Sequence, residues 1–299
     1  MNTTINWPKK SREVVNFLMD SRRWNDFVFR DDDIVIATWS KSGTTWTQQI
    51  VSQLVFQGDA HVFGQSISPW IDFQLREGDP EMAVKQTHRR FMKTHLPLDA
   101  LVFSPKAKYL YVGRDARDII WSFHHHLTSF TPYALARQQQ TAAMAGDMAP
   151  PPIPPDVRAF YNIFLANDAN SPTSLFANVQ GWWDARKLPN VMLLHYANLK
   201  ADLPGEMRRI AKFLDIQIDE SKFGDMLLHC SLEHMKDVGS EDEFLTKMFD
   251  GGARTFVNKG TNGRWRDVLS PEEVALADQI AAQRLTPDCA HWLKTGEGA

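Results

Sequence analysis

The 299-residue sequence has only two cysteines, Cys230 and Cys289, and almost no net charge. It also has no unbroken apolar run long enough to form a membrane-spanning helix, about 18 residues or more. Each scarcity excludes something. Two cysteines cannot build a disulfide framework, and they fit a reducing, cytoplasmic compartment. The N-terminal MNTTINWPKKSREVVNF lacks the apolar core of a signal peptide. Lys+Arg number 33 against 36 Asp+Glu, a net charge of −3, which argues against a general nucleic-acid-binding surface. No repeat of solenoid period is visible. What is present is 43% hydrophobic residues, enough for one large α/β domain or two small ones.

The small total hides local charge. Lys85, Arg89, Arg90, Lys93, Lys106, Lys108, Arg114 and Arg117 face only Asp99, Asp115 and Asp118 between Lys85 and His126. Arg254, Lys259, Arg264 and Arg266 form a second basic stretch. Charge alone leaves two readings, a site for an anionic ligand or a solvated basic face.

The periodicity predicts strands at 33–39, 91–94, 108–113 and 190–196, with helices between them, including TTWTQQIVSQLVF and an Asp115-led helix through IIWSFHHHL. Strands alternating with helices imply a single α/β domain around a central, largely parallel sheet. Residues 130–172, with Pro150, Pro151, Pro152, Pro154 and Pro155, read as an irregular insertion, either a lid over a site or an interdomain linker. The last third reads as mostly helical, with 271–285 the clearest amphipathic stretch.

Strand, then SKSGTTW, then helix is the layout of an anion cradle: amide N–H groups and the helix dipole favour negative charge there. Gly43 permits close approach, Thr44 and Thr45 offer hydroxyls, and Lys41 offers a point charge. The loop lacks the Walker spacing G-x-x-x-x-G-K-[ST], which disfavours a nucleotide triphosphatase. IATWSKSGTTWTQQI resembles the 5′-phosphosulfate loop of the cytosolic sulfotransferases, which use 3′-phosphoadenosine-5′-phosphosulfate (PAPS) as sulfuryl donor. The resemblance implies a P-loop-kinase-like sulfotransferase fold. It also implies that Lys41, Ser42, Gly43, Thr44 and Thr45 hold the phosphosulfate while Trp46 stacks on the purine.

YLYVGRDARDIIWSFHHH sets Arg114 at a strand end and Ser122 eight residues later, close enough to share a ligand or merely to join a surface ion network. It resembles the family's 3′-phosphate motif, in which the arginine and serine bind that phosphate. The consecutive His124, His125 and His126 diverge by about 100° per residue on a helix and cannot share one ion, so no metal is expected. In FMKTHLP, Lys93 and His95 are two apart and share a strand face. A neutral imidazole suits proton removal and an ammonium suits charge stabilisation, although a lone histidine is more often structural. The family carries K-T-H-L-P here. The resemblance therefore makes His95 the base and Lys93 and Lys41 the stabilising cations, with Ser122 hydrogen-bonding the loop lysine until acceptor arrives.

FVNKGTNGRWRD (256–267) resembles the family's clamp over the nucleotide, with Lys259 and Gly260 matching. Asn258 stands where the family has arginine, and Arg264 where it has an acid; Lys259, the Gly260 backbone and Arg254 are the expected compensation. Tyr196 matches the adenine-side tyrosine, and Ser231 a nucleotide-contact serine. Cys230 and Leu232 depart from the pattern. The animal dimer signature falls on RDVLSPEEVA (266–275) and is not matched, which leaves the oligomeric state open. SPWIDF resembles an acceptor-pocket segment and places Trp70 and Phe73 on the pocket wall, with His126 facing the same side; ordinary core packing explains these aromatics as well. The expected reaction is sulfuryl transfer from PAPS to a hydroxyl of a phenol, sterol, alcohol or glycolipid. A kinase-like phosphotransferase, lacking its Walker glycine, and a non-catalytic nucleotide-binding module are the alternatives.

Overall fold

Four short, mostly apolar runs become strands: β1 (Ile34–Thr38), β2 (Phe91–Thr94), β3 (Lys108–Gly113) and β4 (Val191–His195). The computed structural model describes residues 5–148 and 150–299. The strands form one parallel sheet in the order β2-β1-β3-β4. Alternate residues serve opposite faces. Ile34, Ile36, Leu110 and Val112 pack against Ile50, Leu54, Met207 and Ile210 on one side. Val35, Ala37, Tyr109 and Tyr111 join the tryptophan-rich core, with Trp182 and Trp292, on the other. Coverage on both faces is why the strands read as continuous apolar runs rather than alternating ones.

The order also positions the site. From β1 the chain passes to β2 on one flank, whereas β3 lies on the other. The loops leaving the carboxyl ends of β1 and β3 therefore diverge and open a crevice at a topological switch point. The helix Thr44–Val55 begins in that crevice, and the helix Ala116–Thr128 flanks it.

Two expectations change. Residues 130–172 are not irregular: they hold helices Pro132–Ala145 and Val157–Asn167 and a short turn of helix at Asp168–Asn170. Thr131 caps the first through the Ala134 N–H, and Pro132 sits in its first turn, where a missing N–H costs nothing. Gly146 (φ 67°) ends it. The prolines fall in the short connection before Asp156, which caps the second helix. The 271–285 stretch does form a helix, Pro271–Arg284, opened by a Ser270/Glu273 capping box. Only Ala277 is buried in it, however, and the better amphipathic helix is Leu203–Leu214, burying Met207, Ile210, Ala211 and Leu214.

Five of the eight cations between 85 and 126 are engaged in ion pairs. Arg90 donates to Asp33 Oδ1 at 2.7 Å beneath the start of β1, and Arg117 donates to Asp115 Oδ1 at 2.9 Å. Lys108 pairs with Asp215, and Lys106 with Asp31 at 3.3 Å. Of the eight cations between 85 and 126, Lys93 and Arg114 line the crevice. No helix among the described residues is long and apolar enough to cross a membrane.

Candidate active site

The loop after β1 is bent by two left-handed residues, Lys41 (φ 67°) and Gly43 (φ 118°). A lysine in that region is strained by roughly 1 kcal/mol or more, the kind of strain found at functional sites. A Cβ on Gly43 would lie 2.8 Å from Tyr196 Cδ2, so the loop can lie this close to the Tyr196 ring only with glycine. The bend carries the Lys41 side chain into the crevice, where Nζ lies 5.0 Å from the Phe256 ring centroid and donates to His126 Nδ1 at 3.3 Å. Lys41 is partly exposed as a residue, but its ammonium is enclosed. Burial, then the Arg114 charge, pushes its pKa down to about 8.

At the end of β2, Lys93 and His95 enter the same cavity, as their spacing predicts. Lys93 Nζ donates to Gln65 Oε1 at 3.1 Å and lies 5.0 Å from the Trp70 ring centroid. Burial, then Arg76, lowers its pKa to about 7. The His95 ring is set edge-on against Trp70, centroids 4.7 Å apart. Its Nδ1 lies 2.9 Å from the Thr38 carbonyl oxygen. A carbonyl only accepts, so Nδ1 carries the proton and Nε2 keeps its lone pair. Burial, then the neighbouring Lys93, holds the pKa down at about 3, so the imidazole is neutral.

Arg114 follows β3 and stacks on Tyr196, its guanidinium carbon 4.3 Å from the ring centroid. It donates to the Lys41 carbonyl (3.1 Å), the Thr261 carbonyl (3.1 Å) and Asn262 Oδ1 (2.9 and 3.1 Å). The guanidinium therefore ties the loop after β1 to the 258–264 loop and keeps about one of its five N–H groups free. Gly260 (φ 62°) lets that second loop close down, since a Cβ would sit 2.7 Å from Leu232. The Tyr196 hydroxyl donates to the Gly260 carbonyl at 3.1 Å, and Trp46 Nε1 donates to the Cys230 carbonyl at 2.9 Å.

Thr44, Thr45, Trp46, Ser122, Tyr196, Gly260, Trp70, Phe73 and His126 all line this one cavity. Ser122 and His126 share a helix face at i, i+4, and it is His126 that receives the Lys41 ammonium. Trp70 and Phe73 stack at 4.2 Å. The three histidines diverge: His124 Nε2 pairs with the Pro154 carbonyl oxygen at 2.8 Å, whereas His126 sits among Phe130, Phe249 and Phe256.

Ser42, Ser231 and Lys259 lie outside the lining. Ser42 is buried behind the loop, Ser231 caps the helix Leu232–Val238, and Lys259 is exposed. Arg254 is occupied by Asp237 at 2.9 Å. Sequence reasoning gave no individual role to Arg264, which lines the same cavity as Arg114; burial first, and the Arg264 charge last, lower the Arg114 pKa. The signal was present, a cation where the resembled pattern has an acid. Gln65 and Gln138, also in the lining, carried no signal, because only the tertiary fold brings them there.

A sulfotransferase domain matches residues 31–287. The chain is 31% identical over 316 residues to a glycolipid sulfotransferase of Mycobacterium bovis, covering 97% of this chain and 96% of that protein. It is 26% identical over 287 residues to sulfotransferase 1B1 of Mus musculus, covering 91% and 89%. A mouse sulfotransferase solved with PAP shares the fold, with a TM-score of 0.70 at 21% identity over 91% of each chain. Retinol dehydratase solved with androsterone and PAP also gives 0.70, at 22% identity over 89% of this chain and 84% of that one. With its switch-point crevice and full-length relatives, this chain belongs to the sulfotransferase family of transferase enzymes.

Proposed function

We propose that the enzyme transfers the sulfuryl group of PAPS to a hydroxyl of a hydrophobic acceptor, with His95 as base. One observation carries the reading. Lys41, Lys93 and Arg114 point enclosed cations into one cavity, and none forms an ion pair with a carboxylate among the described residues. Unpaired buried charge is costly, and a polyanionic nucleotide is the ligand that relieves it. PAP, 3′-phosphoadenosine-5′-phosphate, in the solved relatives fits that demand.

The residues present suit such a donor. The 41–46 loop and the amino end of the Thr44–Val55 helix offer N–H groups for its 5′ end, while Trp46 and Tyr196 offer aromatic faces for a base. Arg114, Ser122 and Arg264 surround the place for a further phosphate. PAPS supplies a sulfuryl group on an anionic leaving group. His95 Nε2 accepts the acceptor's hydroxyl proton, and the Thr38 carbonyl keeps the ring in the tautomer that can do so. Lys41 and Lys93 stabilise charge as the bond to the leaving oxygen breaks. An anion paired to these lysines also offsets the cations that depress His95, so donor binding raises the basicity of the base. Trp70, Phe73 and the phenylalanines near His126 exclude water and receive an apolar acceptor. Helix Pro132–Ala145 covers that end of the cavity as a lid, consistent with Gln138 in the lining.

With sulfur-labelled PAPS and a panel of phenols, sterols and long-chain alcohols, label moves to at least one acceptor, with or without a chelator. Nucleotide binding without transfer to any acceptor overturns the reading in favour of a binding module.

Two further outcomes follow from the donor end. Arg264→Ala weakens PAP binding about tenfold or more, the loss of a charge-assisted hydrogen bond, and Asn258→Arg strengthens it. Equal dissociation constants in the wild type and both variants would contradict this placement. The lysines also make binding proton-linked. At pH 8 the free enzyme holds Lys93 mostly neutral and Lys41 about half so, from their pKa values near 7 and 8. A bound anion favours both ammonium forms. PAP binding at pH 8 therefore takes up about one proton, and affinity falls as pH rises above 7. Calorimetry in buffers of different ionisation enthalpy measures this; net proton release contradicts it.

A further inference from the structure

The acceptor end of the cavity is almost wholly apolar, lined by Phe17, Leu18, Phe73, Phe130, Phe244 and Met248. Two polar residues interrupt it, Arg76 and Gln138. Arg76 is spoken for: its Nε donates to Asp79 Oδ2 at 3.0 Å, and its guanidinium carbon lies 5.1 Å from the Phe244 ring centroid. Gln138 is different. It is only 5% exposed, yet its carboxamide makes no hydrogen bond to any described residue. Its backbone carbonyl accepts from Thr141 Oγ1 at 3.1 Å, and that hydroxyl also donates to the Arg137 carbonyl at 3.0 Å. Thr141 thus spends its one O–H on backbone carbonyls and does not donate to the Gln138 amide oxygen. Ala134, Thr141 and Ala142 fill the rest of that buried helix face, so the carboxamide has the cavity as its outlet.

The amide is not sealed off without a partner, as the Gln86 and Asn190 amide oxygens are; it reaches the open space of the cavity, where water or a ligand group can pair with it. An apolar residue of similar size, methionine or leucine, would line the cavity without offering such a contact. The position relative to the reacting end can be followed along one wall. Lys41 Nζ meets His126 at 3.3 Å, and the His126 ring lies 5.1 Å from that of Phe130. Gln138 is six residues into the next helix, about 9 Å of axial rise beyond its start.

We infer that Gln138 is an acceptor-recognition residue, and that the preferred acceptor is elongated and bifunctional. One end carries the hydroxyl that is sulfated. The body is apolar, and the far end carries a second hydrogen-bonding group, a hydroxyl or carbonyl, that pairs with the Gln138 carboxamide. The inference rests on the reading of the opposite end of the cavity as the donor and reaction site.

The test compares 4-alkylphenols with 4-(ω-hydroxyalkyl)phenols over a series of chain lengths, in the wild type, Gln138→Met and Gln138→Leu. Wild-type kcat/KM favours the hydroxyl-tipped phenol at one chain length. Both variants lose that preference by about tenfold, the worth of one buried hydrogen bond, and the change falls in KM. Equal preference in all three proteins at every length overturns the inference, as does a wild type that treats the two series alike. Acceptor affinity is read in parallel from quenching of the cavity tryptophans Trp46, Trp70 and Trp121. If no phenol is sulfated but the wild-type affinity preference remains and the variants lose it, the transfer reading falls and this inference stands. PAP binding by each variant checks that it is folded.

Discussion

The His95→Ala enzyme binds PAPS as the wild type does and turns over about 10²- to 10⁴-fold more slowly, the range for loss of a general base. The expectation rests on geometry. Among the described residues, the hydrogen bonds to the His95 ring are at Nδ1, to the Thr38 carbonyl and hydroxyl at 2.9 and 3.0 Å, which leaves Nε2 to accept a proton in the cavity. The ring does not belong to the set that grips nucleotide phosphate, so donor affinity is spared. His95→Gln keeps the bulk and a hydrogen bond to Thr38 but not a basic nitrogen, and is as slow as the alanine variant. Single-turnover rates at saturating donor measure both. Near wild-type turnover with unchanged PAPS binding contradicts the assignment.

Lys41→Met lowers kcat by about 10²- to 10³-fold, comparable to removing one preorganised group that stabilises transition-state charge. Methionine keeps the stem packed beside Phe256, so the defect is of charge rather than of folding. Lys41→Arg rescues little, because a planar guanidinium cannot enter the space between His126 and the Phe256 ring as a point charge does. The same substitution removes part of the proton uptake on PAP binding at pH 8, since Lys41 is one of the two groups that supply it. A kcat loss without a change in proton uptake would separate the catalytic role from the pKa reading.

The sheet was legible because each strand is buried on both faces, and Ile34–Thr38, Phe91–Thr94, Lys108–Gly113 and Val191–His195 announce themselves by composition. The gathering of Lys41, Lys93, His95, Arg114 and Ser122 in one cavity was legible for a different reason. Its residues lie in short contiguous stretches at strand ends, so SKSGTTW, KTH and the Arg114-to-Ser122 spacing each survive as a local pattern. Proline density misled at 130–172, where capping by Thr131 and Asp156 confines the prolines to the connection between two helices. Charge counting misled where Arg90, Lys106, Lys108 and Arg117 are consumed by Asp33, Asp31, Asp215 and Asp115. The apolar end of the cavity was legible only at Trp70, Phe73 and His126; Phe17, Gln138 and Phe244 come from three other distant segments, and no local spacing joins them.

The central claim is direct transfer from PAPS to an acceptor oxygen in this cavity, and the most direct measurement is a label balance in one turnover. With enzyme in excess over sulfur-labelled PAPS and a phenolic acceptor, the label appears on the phenol oxygen in step with PAP release, one for one. None is retained on the denatured protein. Label trapped on the protein, or PAP released with inorganic sulfate and no sulfated phenol, contradicts the account.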